Sequence, residues 1–130
     1  MSAESVQPKE KTLETALRAL QGQLAMVDFW SRPHSGKGME LIVINHYPVM
    51  LKIDNSDRHG RPHFHIEYKR EHAASYAIDN FERLAGHMPE KYGGTLLEWA
   101  KENQALLLAK WKELHPNMPV FALELKGTNN

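Results

Sequence analysis

The segment from His63 to Tyr68 restricts the fold most strongly, because its residues alternate between two kinds of side chain. Successive side chains of a β-strand point to opposite faces of the sheet. The apolar residues would share one face: Phe64, Ile66 and Tyr68. The imidazoles and the carboxylate would share the other: His63, His65 and Glu67. The pattern predicts a half-buried strand with a row of titratable groups on its polar face.

A turn with several charged side chains precedes this strand. Gly60 and Pro62 are typical of turns. The polar residues around them are Asp57, Arg58, His59 and Arg61. Histidine is also the one compositional outlier, with eight copies in the chain. The candidate site residues therefore lie between Asp57 and Glu67.

Other short segments have the two-residue period of strands. Residues 49–54, 74–79 and 120–125 alternate in this way, and residues 40–44 form a short β-branched run. Short connections between consecutive strands favour an antiparallel sheet with one packed and one solvated face. We predict three to five antiparallel strands.

Two segments have the spacing of amphipathic helices. Residues 9–27 carry apolar side chains three and four positions apart, from Leu13 to Val27. A second stripe runs from Leu96 to Leu114, after a proline at position 89 that suits the first turn of a helix. We predict an α+β fold in which a long C-terminal helix packs on the apolar face of the sheet and an N-terminal helix is added.

Length and composition limit the class of protein. A chain of 130 residues fits one domain: we expect a flexible start over residues 1–8, the N-terminal helix over 9–27, a core over 40–115 and a tail over 126–130. The formal net charge is zero, so the protein as a whole has no positive electrostatic potential that would attract nucleic acid. The chain contains no cysteine, so no metal site with thiolate ligands is expected. No apolar run approaches the roughly 18 residues of a membrane span. The first five residues lack the pattern of a secretory leader, so we expect a cytoplasmic protein.

Three motifs are spread through the second half of the chain: residues 57–65 read Asp-Arg-His-Gly-Arg-Pro-His-Phe-His, residues 84–89 read Leu-Ala-Gly-His-Met-Pro, and residues 97–100 read Leu-Glu-Trp-Ala, with a tryptophan at 111. The run from about Tyr47 to Leu114 resembles the bacterial domain-of-unknown-function family DUF4160. That family has an Asp-His-x-Pro-Pro-His-Phe-His turn and strand, a strand that ends near Leu-x-Gly-x-Leu-Pro, and a long helix with Leu-Glu-Trp-Ala. The chain departs from the family pattern in three places: Arg58 separates Asp57 from His59, Arg61 replaces the first proline, and Asn103 stands where members often carry histidine.

The resemblance also implies a function, because the genes that lie next to those of family members suggest one. Members are often encoded beside another small protein, in pairs that look like toxin–antitoxin modules with this domain in the toxin role. For this chain the resemblance implies a small cognate, antitoxin-like protein as partner, and RNA or another part of translation as target.

The residues themselves leave three chemical interpretations open. In the first, His59, His63 and His65 bind a divalent ion such as zinc or manganese. Asp57 or Glu67 would then be a fourth ligand or the base for bound water.

In the second interpretation, the histidines act without metal as a general acid–base pair on a phosphodiester. Arg58 and Arg61 would hold the phosphate oxygens. In the third, the row is the solvated face of the sheet or an interface for a protein partner.

We predict a toxin-like effector, a histidine- or metal-dependent nuclease that acts on RNA. Its catalytic residues would be Asp57, His59, His63 and His65, with Arg58, Arg61 and Glu67 in binding roles. The alternative is a non-catalytic module that binds protein through its histidine-rich face. The N-terminal helix also offers a surface for a homo-oligomer.

Overall fold

The computed structural model describes residues 12–31, 44–54, 61–114 and 120–128. Three predicted site residues, Asp57, Arg58 and His59, lie outside these ranges, as does most of the predicted strand over residues 40–44. The roles assigned to them stay predictions.

The fold is α+β, as predicted. The described helices are α1 (Leu13–Ser31), α2 (Glu90–Glu102) and α3 (Gln104–Leu114). The described strands are β1 (Val49–Asp54), β2 (His63–Tyr68), β3 (His72–Ala77), β4 (Arg83–His87) and β5 (Val120–Leu125). The strands form one antiparallel sheet in the order β4-β3-β2-β1-β5. Among the described helices, none combines the length and apolar character needed to cross a bilayer.

The pairing of the strands separates apolar from polar side chains. Leu51 of β1 lies opposite Ile66 of β2 and opposite Leu123 of β5. The apolar residues of β1 and β2 that face the helices are buried: Val49, Leu51, Ile53, Phe64, Ile66 and Tyr68. They join the helices in one hydrophobic core that includes Trp99, so the alternation predicted for these strands is confirmed.

The predicted long C-terminal helix is divided at Asn103. This residue is buried and has φ −115° and ψ 20°, outside the helical region. Its side-chain Nδ2 donates to the carbonyl oxygen of Trp99 at 2.8 Å, a bond that competes with the regular backbone ladder. The helix resumes when Leu107 N–H donates to Asn103 O. The apolar stripe continues through the break, which is why the sequence pattern did not indicate it.

Strand β4 is an edge strand whose residues do not alternate. Four of its five residues are exposed, so its sequence does not alternate between apolar and polar residues as that of a half-buried strand does. The family resemblance nevertheless implies a strand here. Gly86 has φ +76°, and a Cβ at this position would lie 2.3 Å from Ala73 O. Glycine therefore permits the close approach of β4 to β3.

Helix α1 is fixed to the rest of the chain by both apolar and polar contacts. Leu17 and Leu20 are fully buried. The indole Nε1 of Trp99 donates to Ala16 O at 2.7 Å. Gln21 Nε2 donates to the carbonyl oxygens of Tyr47 at 2.8 Å and of Lys126 at 3.0 Å. The apolar stripe of α1 thus packs within its own chain.

Near the end of α1, Asp28 accepts hydrogen bonds from two tyrosines. The hydroxyls of Tyr68 and Tyr92 donate to its two oxygens at 2.6 and 2.5 Å, and Lys69 Nζ lies 3.2 Å away. Burial alone would raise the pKa of Asp28, but the hydrogen bonds from Tyr68, Tyr92 and Lys69 outweigh it and lower that pKa. The charged carboxylate therefore connects α1 to β2 and α2.

We expect Asp28→Asn to lower the free energy of unfolding at pH 7 by roughly 1.5–3 kcal/mol, the usual contribution of a hydrogen bond to a charged group. Because the folded pKa of Asp28 is lowered, its contribution is present above the ordinary carboxyl pKa and is lost as the pH falls through the lower folded value. The difference between wild type and variant should therefore shrink in acid. Urea unfolding at several pH values measures both effects.

Glu14→Gln is the matched control, because Glu14 pairs with Arg18 on the same helix with both side chains more than half exposed. Such a pair is worth at most about 0.5 kcal/mol. Equal losses from the two substitutions would contradict the role assigned to Asp28.

Candidate metal centre

The face of the sheet opposite the hydrophobic core carries the polar residues of β1 and β2. Lys52 lies opposite His65 in the register. If this antiparallel register is continued by two residues, Asp54 at the end of β1 lies opposite His63 at the start of β2. Residues directly opposite each other point to the same face. The pairing therefore places a carboxylate beside two imidazoles.

Asp54, His63 and His65 form a compact group of ligand atoms. One ligand atom from each lies within 4.8 Å of the other two. The distance from His63 Nε2 to Asp54 Oδ1 is 3.4 Å, and that from His65 Nε2 to Asp54 Oδ2 is 3.5 Å. Among the described residues, this is the group of three or more histidine, aspartate or glutamate side chains with the geometry to hold a metal ion.

The orientation and tautomer of His63 are determined by a backbone carbonyl. Its Nδ1 lies 2.8 Å from Arg61 O, and since a carbonyl oxygen can only accept, Nδ1 carries the proton. When the ring is neutral, the lone pair then lies on Nε2, the atom that faces Asp54. Histidines that bind metals usually donate their other N–H in this way. His63 is 4% exposed, so little of its ring reaches solvent.

His65 presents a nitrogen that has no hydrogen-bond partner among the described residues. Its Nε2 is buried, and the nearest Asp54 oxygen, at 3.5 Å, is beyond ordinary hydrogen-bond length. Burial lowers the pKa of His65, and the nearby negative charge of Asp54 only partly opposes this shift. The lowered pKa favours the neutral ring, which is the form that binds metals.

The observed separations fit a divalent ion. Bonds of about 2.0–2.2 Å to nitrogen and oxygen place neighbouring tetrahedral ligands roughly 3.3–3.6 Å apart. The separations of 3.4 and 3.5 Å, which run to different oxygens of Asp54, lie in that range, and one ligand atom from each of the three residues lies within 4.8 Å of the others. Two histidines and one carboxylate are also a ligand set found in catalytic zinc and iron sites, which keep positions open for water or substrate.

A shallow groove of about 290 Å³ extends from His65 across the same face. The longer side chains of Lys52 and Glu67 line it together with the small residues Ala73, Ser75 and Ala85. No described residue forms a salt bridge with Lys52 or Glu67. The groove thus offers one positive and one negative charge beside the candidate centre.

The other predicted site residues within the described ranges lie outside the group of three. Glu67 lines the groove. The guanidinium of Arg61 contacts Asp79 Oδ1 and Glu82 Oε1, each at 3.1 Å, and Asn80 Oδ1 at 3.0 Å. The hydrogen bond to Asp79, followed by that to Glu82, raises the pKa of Arg61. Its role in holding phosphate stays a prediction.

Asp54 is the residue that the sequence reasoning missed. The alternation of β1 already put it on the polar face with Lys52. Its proximity to His63 depends on the register of the hairpin, which the pattern of either strand alone does not contain.

We expect the ring of His65 to titrate below the ordinary value of about 6.5. In the unfolded chain the ring of His65 keeps the ordinary, higher pKa and binds a proton more readily. The free energy of unfolding should therefore decrease as the pH falls below about 6.5. Asp54→Asn should lower the pKa of His65 further, while Lys52→Met should raise it, because Lys52 contributes a repulsive charge. NMR titration of the histidine rings measures these shifts, and a rise in the Asp54→Asn variant would contradict the geometry.

Comparison with known protein families identifies a match in the middle of the chain. Residues 48–112 match the family described as a domain of unknown function, DUF4160. The match spans half of the chain and includes all three residues of the candidate centre. Neither the curated proteins nor the solved structures contain a match to the chain. The motifs of the sequence and the extent of this match together show that the chain belongs to the DUF4160 family.

Proposed function

We propose that this chain is a metal-dependent hydrolase, a toxin-like effector that cleaves RNA in the cytoplasm and is controlled by a small antitoxin-like protein. The observation that carries the metal chemistry is the approach of ligand atoms from Asp54, His63 and His65 to within 4.8 Å of one another. The toxin role and the partner rest on the family resemblance, and the compartment rests on the sequence.

Each of the three residues is prepared to bind a cation. Asp54 supplies the charge. His63 directs the Nε2 lone pair at the centre, because its Nδ1–H is held by Arg61 O. His65 offers a buried nitrogen that otherwise has no hydrogen bond among the described residues. A Zn²⁺ ion bound there would lower the pKa of its water ligand to about 7, and either Zn²⁺ or Mn²⁺ would polarise a phosphoryl oxygen.

The neighbouring charges suit an anionic substrate that enters through the groove. Lys52 lies opposite His65, where its ammonium would contact a phosphate oxygen. Glu67 lies two residues beyond His65 on the same strand and also lines the groove, where its carboxylate would accept a proton from the attacking water.

The same geometry favours the metal over a metal-free acid–base pair. In an acid–base pair, each imidazole must come within hydrogen-bond reach of the substrate group with which it exchanges a proton. Here both Nε2 atoms lie near one carboxylate, and His63 is 4% exposed. A buried ring directed at a neighbouring carboxylate is better suited to hold a cation than to exchange protons with a substrate.

A second candidate function is the non-catalytic protein-binding module. The observation in its favour is the groove on the polar face, whose lining includes Ala73, Ser75 and Ala85. A partner side chain could occupy this groove without any chemistry. This function predicts no dependence on metal.

We expect the purified protein to bind close to one equivalent of Zn²⁺ or Mn²⁺. At free metal of 100 times the dissociation constant, binding should raise the free energy of unfolding by about 2.7 kcal/mol. The His63→Ala/His65→Ala and Asp54→Asn variants should bind little metal and gain no such stability. Elemental analysis after dialysis, together with thermal unfolding, measures both quantities.

His87→Ala is the matched control, since His87 lies opposite Ala73 and so faces the same side of the sheet outside the centre. It should bind metal as the wild type does. Cleavage of a labelled RNA should then require metal, His63, His65 and Asp54. Absence of metal binding by the wild type would rule out the hydrolase, and partner binding that weakens in the double-alanine variant would support the protein-binding module instead.

A further inference from the structure

Arg61 is connected to the candidate metal centre through its main chain. Its carbonyl oxygen accepts the Nδ1–H of His63 at 2.8 Å. The next residue is also held, because Ile78 N–H donates to Pro62 O at 2.9 Å. The position of the Arg61 carbonyl thus determines which nitrogen of His63 faces Asp54.

The side chain of Arg61 points to a different structure, the turn between β3 and β4. Its guanidinium donates to Asp79, Asn80 and Glu82 over distances of 3.0–3.1 Å. An exposed ion pair of this kind contributes little alone. A guanidinium, however, is a rigid planar fork with five N–H donors, and three acceptors on one turn fix its direction.

The turn that receives Arg61 is itself fixed. Gln104, the first residue of α3, donates from Nε2 to Ile78 O at 2.8 Å and to Asp79 O at 3.2 Å. Ala77 N–H donates to Glu82 O at 2.9 Å across the turn. A continuous series of hydrogen bonds therefore runs from α3 through the turn and Arg61 to His63.

We propose that Arg61 is a positioning residue of the metal centre, which holds His63 in the tautomer and orientation that bind the ion. The inference rests on the proposed metal site. In this role Arg61 orients the ring of His63 through its carbonyl oxygen and does not contact the phosphate of the substrate. The two assignments differ in one measurable respect, because a positioning residue affects metal affinity in the absence of substrate.

The experiment compares Arg61→Ala and Arg61→Lys with Arg18→Ala in the otherwise intact chain. Arg18 is a matched control because its guanidinium also pairs with a carboxylate, on the exposed side of α1. Zn²⁺ affinity is measured by competition with a chelating dye. The nitrogen-15 shifts of the His63 ring are measured without metal and report its tautomer.

We expect Arg61→Ala to weaken Zn²⁺ binding by up to about 10-fold, the lower end of the loss that follows removal of a group bonded to a metal ligand, because the carbonyl oxygen that contacts His63 remains in the variant. The same variant should convert the single Nδ1–H tautomer of His63 into a mixture. Arg61→Lys keeps the positive charge and N–H donors without the planar fork, and should restore part of the affinity. Arg18→Ala should bind as the wild type does.

Three results would overturn the inference. Wild-type affinity and tautomer in Arg61→Ala would show that His63 is held without the side chain of Arg61. Unchanged metal affinity with a raised KM for RNA would assign Arg61 to phosphate binding. Absence of Zn²⁺ binding by the wild type would overturn the proposed function and this inference together, which distinguishes that failure from the other two.

Discussion

The antiparallel register between β1 and β2 is the constraint on which both faces of the sheet depend. It places Leu51 opposite Ile66 and Lys52 opposite His65, so the apolar residues enter the core together. A slip of one residue in either strand would exchange the faces of that strand. Phe64, whose ring lies 6.3 Å from that of Trp99, would then be solvated. The free energy of burying the core therefore also holds the polar side chains on the opposite face together.

Two aspartates on opposite sides of the sheet show how differently a carboxylate can be satisfied. Asp28 receives both tyrosine hydroxyls and a lysine, so its charge has partners in the folded chain. Asp54 has two imidazoles at 3.4 and 3.5 Å, and His65 Nε2 remains without a hydrogen bond among the described residues. Buried polar atoms normally have partners. A buried atom without a partner can mark a site that binds an ion. Among the described residues, Oδ1 of Asn45 and Oδ1 of Asn103 also lack a partner, but His65 lies with two other residues that offer ligand atoms.

The alternation of single strands was predictable from the sequence, and their mutual placement was not. The burial of Val49, Leu51 and Ile53 follows from a period of two within six residues. The contact of Asp54 with His63 depends on how β1 and β2 are aligned. Eight residues, 55–62, connect the two strands, and the sequence of neither strand specifies that alignment. Asn103 lies within the apolar stripe, so periodicity alone cannot reveal that its amide interrupts the helix. The exposed edge strand β4 has no burial pattern to detect.

The stretch that defines family membership is shorter than the stretch that forms the core. The family match ends at residue 112 and begins at residue 48, which excludes β5 and all of α1. Yet β5 pairs with every residue of β1, and Trp99 Nε1 donates to Ala16 O. A fragment limited to the homologous segment would have an unpaired indole, an unprotected β1 edge and an uncovered apolar sheet surface, which are the usual causes of aggregation. Homology and cooperative folding thus set different boundaries here, and relatives with other flanking sequences need their own means of covering this sheet.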